Sequence, residues 1–392
     1  MAVNKVIYDN KTLIDLTEDT VTPQSMLVGT TAHSANGEII EGGIETWNGE
    51  VEDGVVKEDV NTLKRLLDYS KSCSRMFYEN KNIIDLNGYF EYSDTENVID
   101  MSSMFSGCRN LISIPQLNTS KVTTMRYMFN LCTGLKSIPQ LDTSNVTTME
   151  NIFSGCGALT TIPLLNTSKV TNMQYMFNNC NVLTTIPLLD TSSVTNMNNM
   201  FSNCFKLSEL PLLDTTNVTT MSSMFNTCSS LTSISQLNTG KVTNMSSIFA
   251  GCRNLISIPQ LNTSKVTTMS YMFSHCLILP KIDITYYNST STSSTNYWCQ
   301  NCYSLKALII RSFGTSYALN TNAFNNCYHI LGTKDLTYNP NGDKDGYIYV
   351  PRDMVDTIKS ATNWSQYATQ IRALEDYTVD GTIDGELDES KI

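Results

Sequence analysis

Charge is scarce in this chain: Asp, Glu, Lys and Arg make up 16% of its 392 residues, against 41% apolar side chains. Core-forming material is ample, which excludes a highly charged disordered chain. Basic residues number 26 against 37 acidic ones, and they nowhere cluster. A net charge of −11 with no basic patch argues against nucleic acid as a partner. Histidine is rarer still, and His33, His275 and His329 lie far apart in the sequence. No paired His sits at helical spacing, and neither a glycine-rich phosphate loop nor a nucleophile elbow occurs. An enzyme is therefore not expected, nor a cofactor. No run of about eighteen apolar residues exists, so no membrane insertion is expected. The first eight residues lack the basic-then-apolar pattern of a secretory signal, and the last seven lack a hydrophobic anchor. The expectation is a chain not exported by the usual route.

The charge is also unevenly spread. Between Met101 and Pro280 there are nine Lys or Arg and five Asp or Glu, so that block carries +4 and the flanks carry −15. Uncharged Ser, Thr and Asn cover the block instead. Twelve cysteines are present, and eight of them (Cys108, Cys132, Cys156, Cys180, Cys204, Cys228, Cys252 and Cys276) recur every 24 residues. One thiol per unit suits a stacked ladder of small buried side chains. Disulfides between neighbouring units are the rival reading, disfavoured because ladder side chains point alike.

The period is the dominant signal. Residues 107–125 recur unchanged as 251–269, six periods later, which indicates duplication of whole units. In the unit from Leu159 to Cys180, the first half carries apolar Leu159, Ile162 and Leu165, with Pro163 after the Ile. Proline has no N–H to donate, so a strand there must be short or irregular. In the second half, Met173, Met176, Phe177 and Cys180 fall at i, i+3, i+4 and i+7, the spacing of one face of a short helix. Thr171 stands where it would cap that helix, and Gln174, like Glu150 in the preceding unit, would complete a capping box. A lone strand–loop–helix coil cannot bury its apolar face, so units must stack. Eight regular units run from about Met101 to Cys276, after a variant half-unit around Cys73–Phe77. Degenerate ones follow around Trp298–Cys302 and Ala323–Cys327.

The pattern Leu-x-x-Ile-Pro…Asp/Asn-Thr-Ser-x-Val-Thr-x-Met-x-x-Met-Phe-x-x-Cys resembles the leucine-rich repeat of BspA-like bacterial surface proteins. The resemblance implies a leucine-rich-repeat array, and with the ends of the chain the expected fold is an α/β repeat solenoid of 24-residue strand–helix coils with a small β-rich amino-terminal module and capping elements. It says little of function, because such proteins bind varied partners.

The expected organisation is a β-rich attachment module over 1–46, then a linker, capping helix and variant first coil over 47–98. The solenoid follows over 99–334, a carboxyl-terminal cap over 335–376 and an acidic tail over 377–392. Lys5–Tyr8 and Thr12–Leu16 read as a hairpin around Asp9-Asn10-Lys11, and Asn36-Gly37 as a second tight turn. A short helix opens at Thr22-Pro23 and closes at Gly29. Another spans Asp59–Tyr69. Tyr347–Pro351, a helix near Arg352–Ala361 and a helical segment Trp364–Leu374 would close the stack, with the tail either a small hairpin or disordered. The run Lys-Thr-Leu-Ile-Asp-Leu-Thr…Leu-Val-Gly-Thr-Thr-Ala-His…Gly-Glu-Ile-Ile-Glu-Gly resembles modules of tail and minor structural proteins of phages infecting Gram-positive bacteria.

Several side-chain groups could carry chemistry. Cys299 and Cys302 with Cys327 and His329 have zinc-like spacing, but Cys302 and Cys327 continue the ladder, so no metal is expected. The column Asn118, Asp142, Asn166, Asp190, Asp214, Asn238 and Asn262 could suggest calcium, yet Asx before Thr-Ser is the signature of a turn. Two surfaces are candidates for binding. The strand face carries Gln116, Gln140, Gln236 and Gln260, with Leu164, Leu188 and Leu212 in the units between. The region 281–350 holds nine of the nineteen tyrosines, and Tyr286, Tyr287, Tyr297, Trp298 and Tyr303 crowd there as a possible platform for a sugar or a protein, the alternative being that they fill an irregular coil. The expectation is a tail-associated phage protein that binds a receptor, its partners a host surface protein or glycan and, through the first module, other virion proteins. A homo-oligomer is possible, though no coiled-coil heptads support one. The alternatives are a bacterial adhesin at the cell surface and a virion decoration without receptor.

Overall fold

The computed structural model describes residues 72–86, 95–289 and 291–391. Nearer the amino terminus it describes six strands by their backbone. β1 (Val3–Tyr8), β2 (Lys11–Asp15), β3 (Thr31–Ser34) and β4 (Ile39–Glu41) form an antiparallel sheet in the order β2-β1-β3-β4. Both expected hairpins are present in it. β5 (Val51–Glu52) pairs with β6 (Val55–Val56) within the stretch 47–98 expected to hold linker, capping helix and variant first coil. The helices expected over 22–29 and 59–69 lie outside the described residues.

The chain is a repeat solenoid of stacked coils, 24 residues each from Phe105 to Phe273. In the unit 159–180, Leu159, Ile162, Leu165, Val170, Met173, Met176, Phe177 and Cys180 are all buried, and the same columns are buried in its neighbours. Nine phenylalanines from Phe77 to Phe273 stack along the axis with ring centroids 5.4–5.8 Å apart and planes within 18° of parallel. This is the offset stacking that aromatic quadrupoles favour.

That spacing corrects the expected helix. Packed helices need roughly 8–10 Å between axes, so one α-helix per coil does not fit at the observed rise. The Met-x-x-Met-Phe-x-x-Cys half is instead a ribbon of tight turns. Alternate amides point in two directions: those of Met149, Asn151, Phe153 and Gly155 donate to carbonyls of the next coil, whereas those of Ile152, Ser154 and Cys156 donate three residues back. The geometry needs left-handed backbone twice per coil, four residues apart. Asn151 (φ 55°) and Gly155 (φ 77°), then Tyr175 (φ 56°) and Asn179 (φ 58°), occupy those places.

The threonine expected as a helix cap has another task. Thr147 and Thr171 each donate from both N–H and Oγ1 to the carbonyl of the equivalent Thr in the preceding coil. Glu150 closes no capping box; it pairs with Arg126 at 2.9 Å.

Two further ladders tie coil to coil. Each cysteine from Cys108 to Cys276 donates its S–H to a phenylalanine carbonyl of the coil before it, at 2.9–3.2 Å. All twelve cysteines are buried and free, and burial pushes thiols such as Cys108 and Cys204 up to about 12. A threonine column missed in the sequence lies buried beside them. Thr143, Thr167, Thr191, Thr215 and Thr239 donate from Oγ1 to the next coil's Asx carbonyl at 2.8–3.0 Å. The Asx residues form the expected turns, with Asn118, Asp142 and Asn166 accepting from the amide two residues on.

The strand half is irregular wherever proline stands. Its recurrent coil-to-coil bond is one amide after the leucine, as from Thr160 to the Lys136 carbonyl at 3.3 Å. Past Pro280 the prolines cease within this face and a regular parallel sheet forms from β7 (Lys281–Ile284), β9 (Ala307–Ile310), β11 (Tyr347–Val350) and β12 (Ile371–Ala373), in the order β12-β11-β9-β7. Two strands, β8 (Tyr287–Ser289) and β10 (Phe313–Tyr317), pair in parallel beside it. Short helices α1 (Tyr328–Leu331) and α2 (Val355–Ser360) complete this end, α2 within the expected range. The segment Trp364–Leu374 departs from expectation: a 3-10 helix over Ser365–Gln370 gives way to β12. The tail turns back at Gly381, with Thr378 bridging Leu387.

Candidate functional site

One outward column of the strand face runs the length of the solenoid. In it, Gln116, Gln140, Leu164, Leu188, Leu212, Gln236 and Gln260 alternate with the inward leucines. Leu164, Leu188 and Leu212 are 61%, 63% and 64% exposed. They lie in a groove of about 1650 Å³ that reaches from Gln116 to Gln236. Its other wall is the row of Asx turns. Three carboxylates stand there, Asp142, Asp190 and Asp214, and among the described residues no Lys, Arg or aromatic side chain lines the groove. The hydroxyls and amides of Ser144 and Ser192, and the amide and hydroxyl of Thr216, hold these carboxyls below their usual range. They are ionised at neutral pH, and the turn that fixes one oxygen of each also fixes its direction.

The glutamines expected as binding residues flank the leucines, but they serve the fold first. Gln116 Nε2 donates to the Gln140 carbonyl at 2.6 Å and Gln140 Nε2 to the Leu164 carbonyl at 2.7 Å. Each supplies a donor to a strand carbonyl beside a coil whose proline has none to give. Gln236 reaches the Leu237 carbonyl at 3.4 Å, and Gln260 reaches Asp283 Oδ1 at 3.3 Å.

The aromatic candidates separate. Tyr287 and Trp298 are fully buried, so they are corrected from binding residues to core: they pack with Phe313, Phe324 and Trp364 where the Phe stack ends. Tyr287 Oη donates to the Ala318 carbonyl at 2.8 Å. Tyr286, Tyr297 and Tyr303 are half-buried and do not form one platform. Tyr297 packs on Tyr271 at 5.1 Å, and Tyr303 stacks on Tyr328 at 4.6 Å.

Of the thiols with zinc-like spacing, Cys302 and Cys327 stay in the ladder. Cys302 donates to the Phe273 carbonyl and Cys327 to the Cys299 carbonyl. His329 is turned elsewhere, its ring nitrogens 2.5 Å from Asp345 Oδ1 and 2.9 Å from the Tyr338 carbonyl.

The leucines are visible in the sequence, whereas the Asx column reads there as turns. The pairing of Leu188 with Asp190, and of Leu212 with Asp214, two residues apart in one unit, was the available signal that both share a wall.

A family model described as "Mycoplasma protein of unknown function, DUF285" matches residues 71–184, 133–232, 159–253 and 205–313. None of the curated proteins matches the chain. Among solved structures, a T. pallidum leucine-rich-repeat protein is 20% identical with a TM-score of 0.29, covering 53% of this chain and 72% of its own. A leucine-rich cell surface protein from Faecalibacterium prausnitzii is 17% identical with a TM-score of 0.32, covering 73% of this chain and 93% of its own.

Proposed function

The chain belongs to the DUF285 family, and on that premise we propose that it is a non-enzymatic adhesin whose solenoid displays the leucine groove to a partner protein. The observation that carries this reading is the run of three leucines, each more than 60% exposed, on successive coils of one recess. Contiguous apolar surface of this kind on a soluble face marks an interaction site. Covering each leucine contributes about 1.5–3 kcal/mol at most, enough to anchor a contact. The scaffold reading is tested by Leu164→Ser/Leu188→Ser/Leu212→Ser in the full chain, with attachment to host cells as the readout. Attachment at the unaltered level would remove the groove from the function.

The finer reading is a tail-associated phage protein that binds a host receptor, attached to the particle through its first module. Its support is the resemblance of the amino-terminal run to phage structural modules. Purified particles probed with an antibody to the solenoid test it, and absence of the chain from them overturns it. A bacterial cell-surface adhesin is the second reading, favoured by the BspA-like motif; recovery of the chain in a cell-wall fraction free of particles would support it.

A further inference from the structure

The outward column that forms the groove does not stop at Gln260. Parallel pairing carries it on to Asp283, then Ile309, then Tyr349. At Ile309 and Tyr349 the outward face is apolar, as at the three leucines, but there it is buried. What covers it is the chain's own carboxyl-terminal segment, with Leu374, Tyr377, Ile383 and Leu387 packed on the outward side. That segment is acidic, and the face meets it with cations. Arg311 Nη1 donates to the carbonyls of Ile383 (2.7 Å) and Gly385 (3.3 Å), and Lys281 pairs with Glu389. One end of this face is thus already a receptor for an irregular peptide: apolar side chains sit on the column and charges of opposite sign meet at its edge.

In the groove the column is apolar again and the edge charge is reversed. Asp142, Asp190 and Asp214 line it. The nearby lysines turn along the solenoid, Lys169 to Asn145 Oδ1 at 2.8 Å and Lys241 to Asn217 Oδ1 at 2.7 Å. The carboxylates repel phosphate backbones and anionic lipid, and among the described residues no aromatic platform for a sugar lines the groove. Building on the reading of the groove as the contact surface, we propose that its occupant is a peptide segment of a partner protein in which apolar side chains alternate with lysine or arginine. The apolar groups cover Leu164, Leu188 and Leu212 as Ile383 and Leu387 cover the far end. The cations meet carboxylates that their Asx turns already hold in place, which lowers the ordering cost of binding.

The test uses the full chain and a fluorescein-labelled peptide alternating leucine with lysine, beside a counterpart alternating leucine with glutamate. The lysine peptide is expected to bind, and more weakly at raised salt. Asp190→Asn/Asp214→Asn weakens binding by about three- to tenfold, as for charge pairs at a solvated rim, and Leu188→Ser weakens it by about tenfold or more. Both substitutions are at exposed positions, and an unchanged thermal midpoint confirms that each variant folds. Equal binding of the glutamate peptide, or no effect of the Asp substitutions, overturns the proposed chemistry. If host attachment still falls in the triple-leucine variant, the contact surface stands and only the charge assignment has failed. If attachment is unchanged, both fail together.

Discussion

Replacing Phe177 by alanine removes the middle ring of the nine-ring stack, leaving Phe153 and Phe201 facing a void. The two lost contacts are at centroid distances of 5.7 and 5.6 Å. Phe177 is fully buried, and the coils above and below are held by backbone hydrogen bonds that resist collapse into the hole. The expected cost is therefore at the upper end of the about 3–5 kcal/mol typical for a buried Phe→Ala. The shape of the transition should change as well. A solenoid is stable through nearest-neighbour interfaces, so weakening one of them lets the two flanking blocks unfold separately. Guanidinium unfolding followed by circular dichroism is the assay, with Phe205→Ala as the control. Phe205 is 39% exposed and outside the stack, and its replacement should cost less than about 1 kcal/mol. The double variant Phe153→Ala/Phe177→Ala should cost about 0.5–1.5 kcal/mol less than the sum of its parts, because one ring–ring contact is lost only once. A Phe177→Ala chain within about 1 kcal/mol of the parent, unfolding in one step, would refute the ladder as the source of stability.

Thr227 holds a left-handed backbone (φ 60°) where equivalent positions carry Asn179 and Asn203; a β-branched residue there is strained. Thr227→Asn should stabilise by about 1 kcal/mol, and a lower thermal midpoint would contradict that. Arg311 is nearly buried, bonds Asp283 twice (3.0 and 2.8 Å) and holds the tail carbonyls. Arg311→Met strands the Asp283 carboxylate, costs about 3–5 kcal/mol and should expose residues 378–391 to proteolysis; an equally resistant tail would count against the anchor. Burial alone would raise the pKa of Asp345, but hydrogen bonds from Lys306 and His329, and their charges, lower it overall. A depressed carboxylate contributes stability above its unfolded pKa, near 3.8, and loses it as pH falls through the folded value. Acid below about pH 4 should thus loosen the 332–346 loop, and Asp345→Asn should abolish that pH dependence in hydrogen exchange.

The repeat was legible because a 24-residue period forces equivalent side chains into columns, whatever the local conformation. Local conformation was less legible for the same reason. Met173, Met176, Phe177 and Cys180 must face inward in a helix or in a ribbon of turns, so their spacing does not separate the two. A separating signal lay in some of the intervening columns, though not where Tyr127, Leu131 or Tyr175 holds the same backbone. Asn151 and Gly155, or Asn199 and Asn203, are residues that tolerate left-handed backbone, and a helix has no use for them at four-residue intervals. Tyr287 and Trp298 were misplaced because aromatic crowding looks alike on a surface and at the end of a stack. Only the packing of Trp364, more than sixty residues on, shows that they are enclosed. The groove was half legible: the leucine run is visible in sequence, whereas its acidic wall depends on which way each turn faces.

Thiol counting tests the coil register most directly. All twelve cysteines are buried as free thiols, ten of them in the ladder, so a thiol reagent applied to the native chain under non-reducing conditions should label essentially none. The same chain in denaturant without reductant should release all twelve. Rapid labelling of the native chain, or a denatured count short by pairs, would mean that the cysteines do not lie in one reduced interior row.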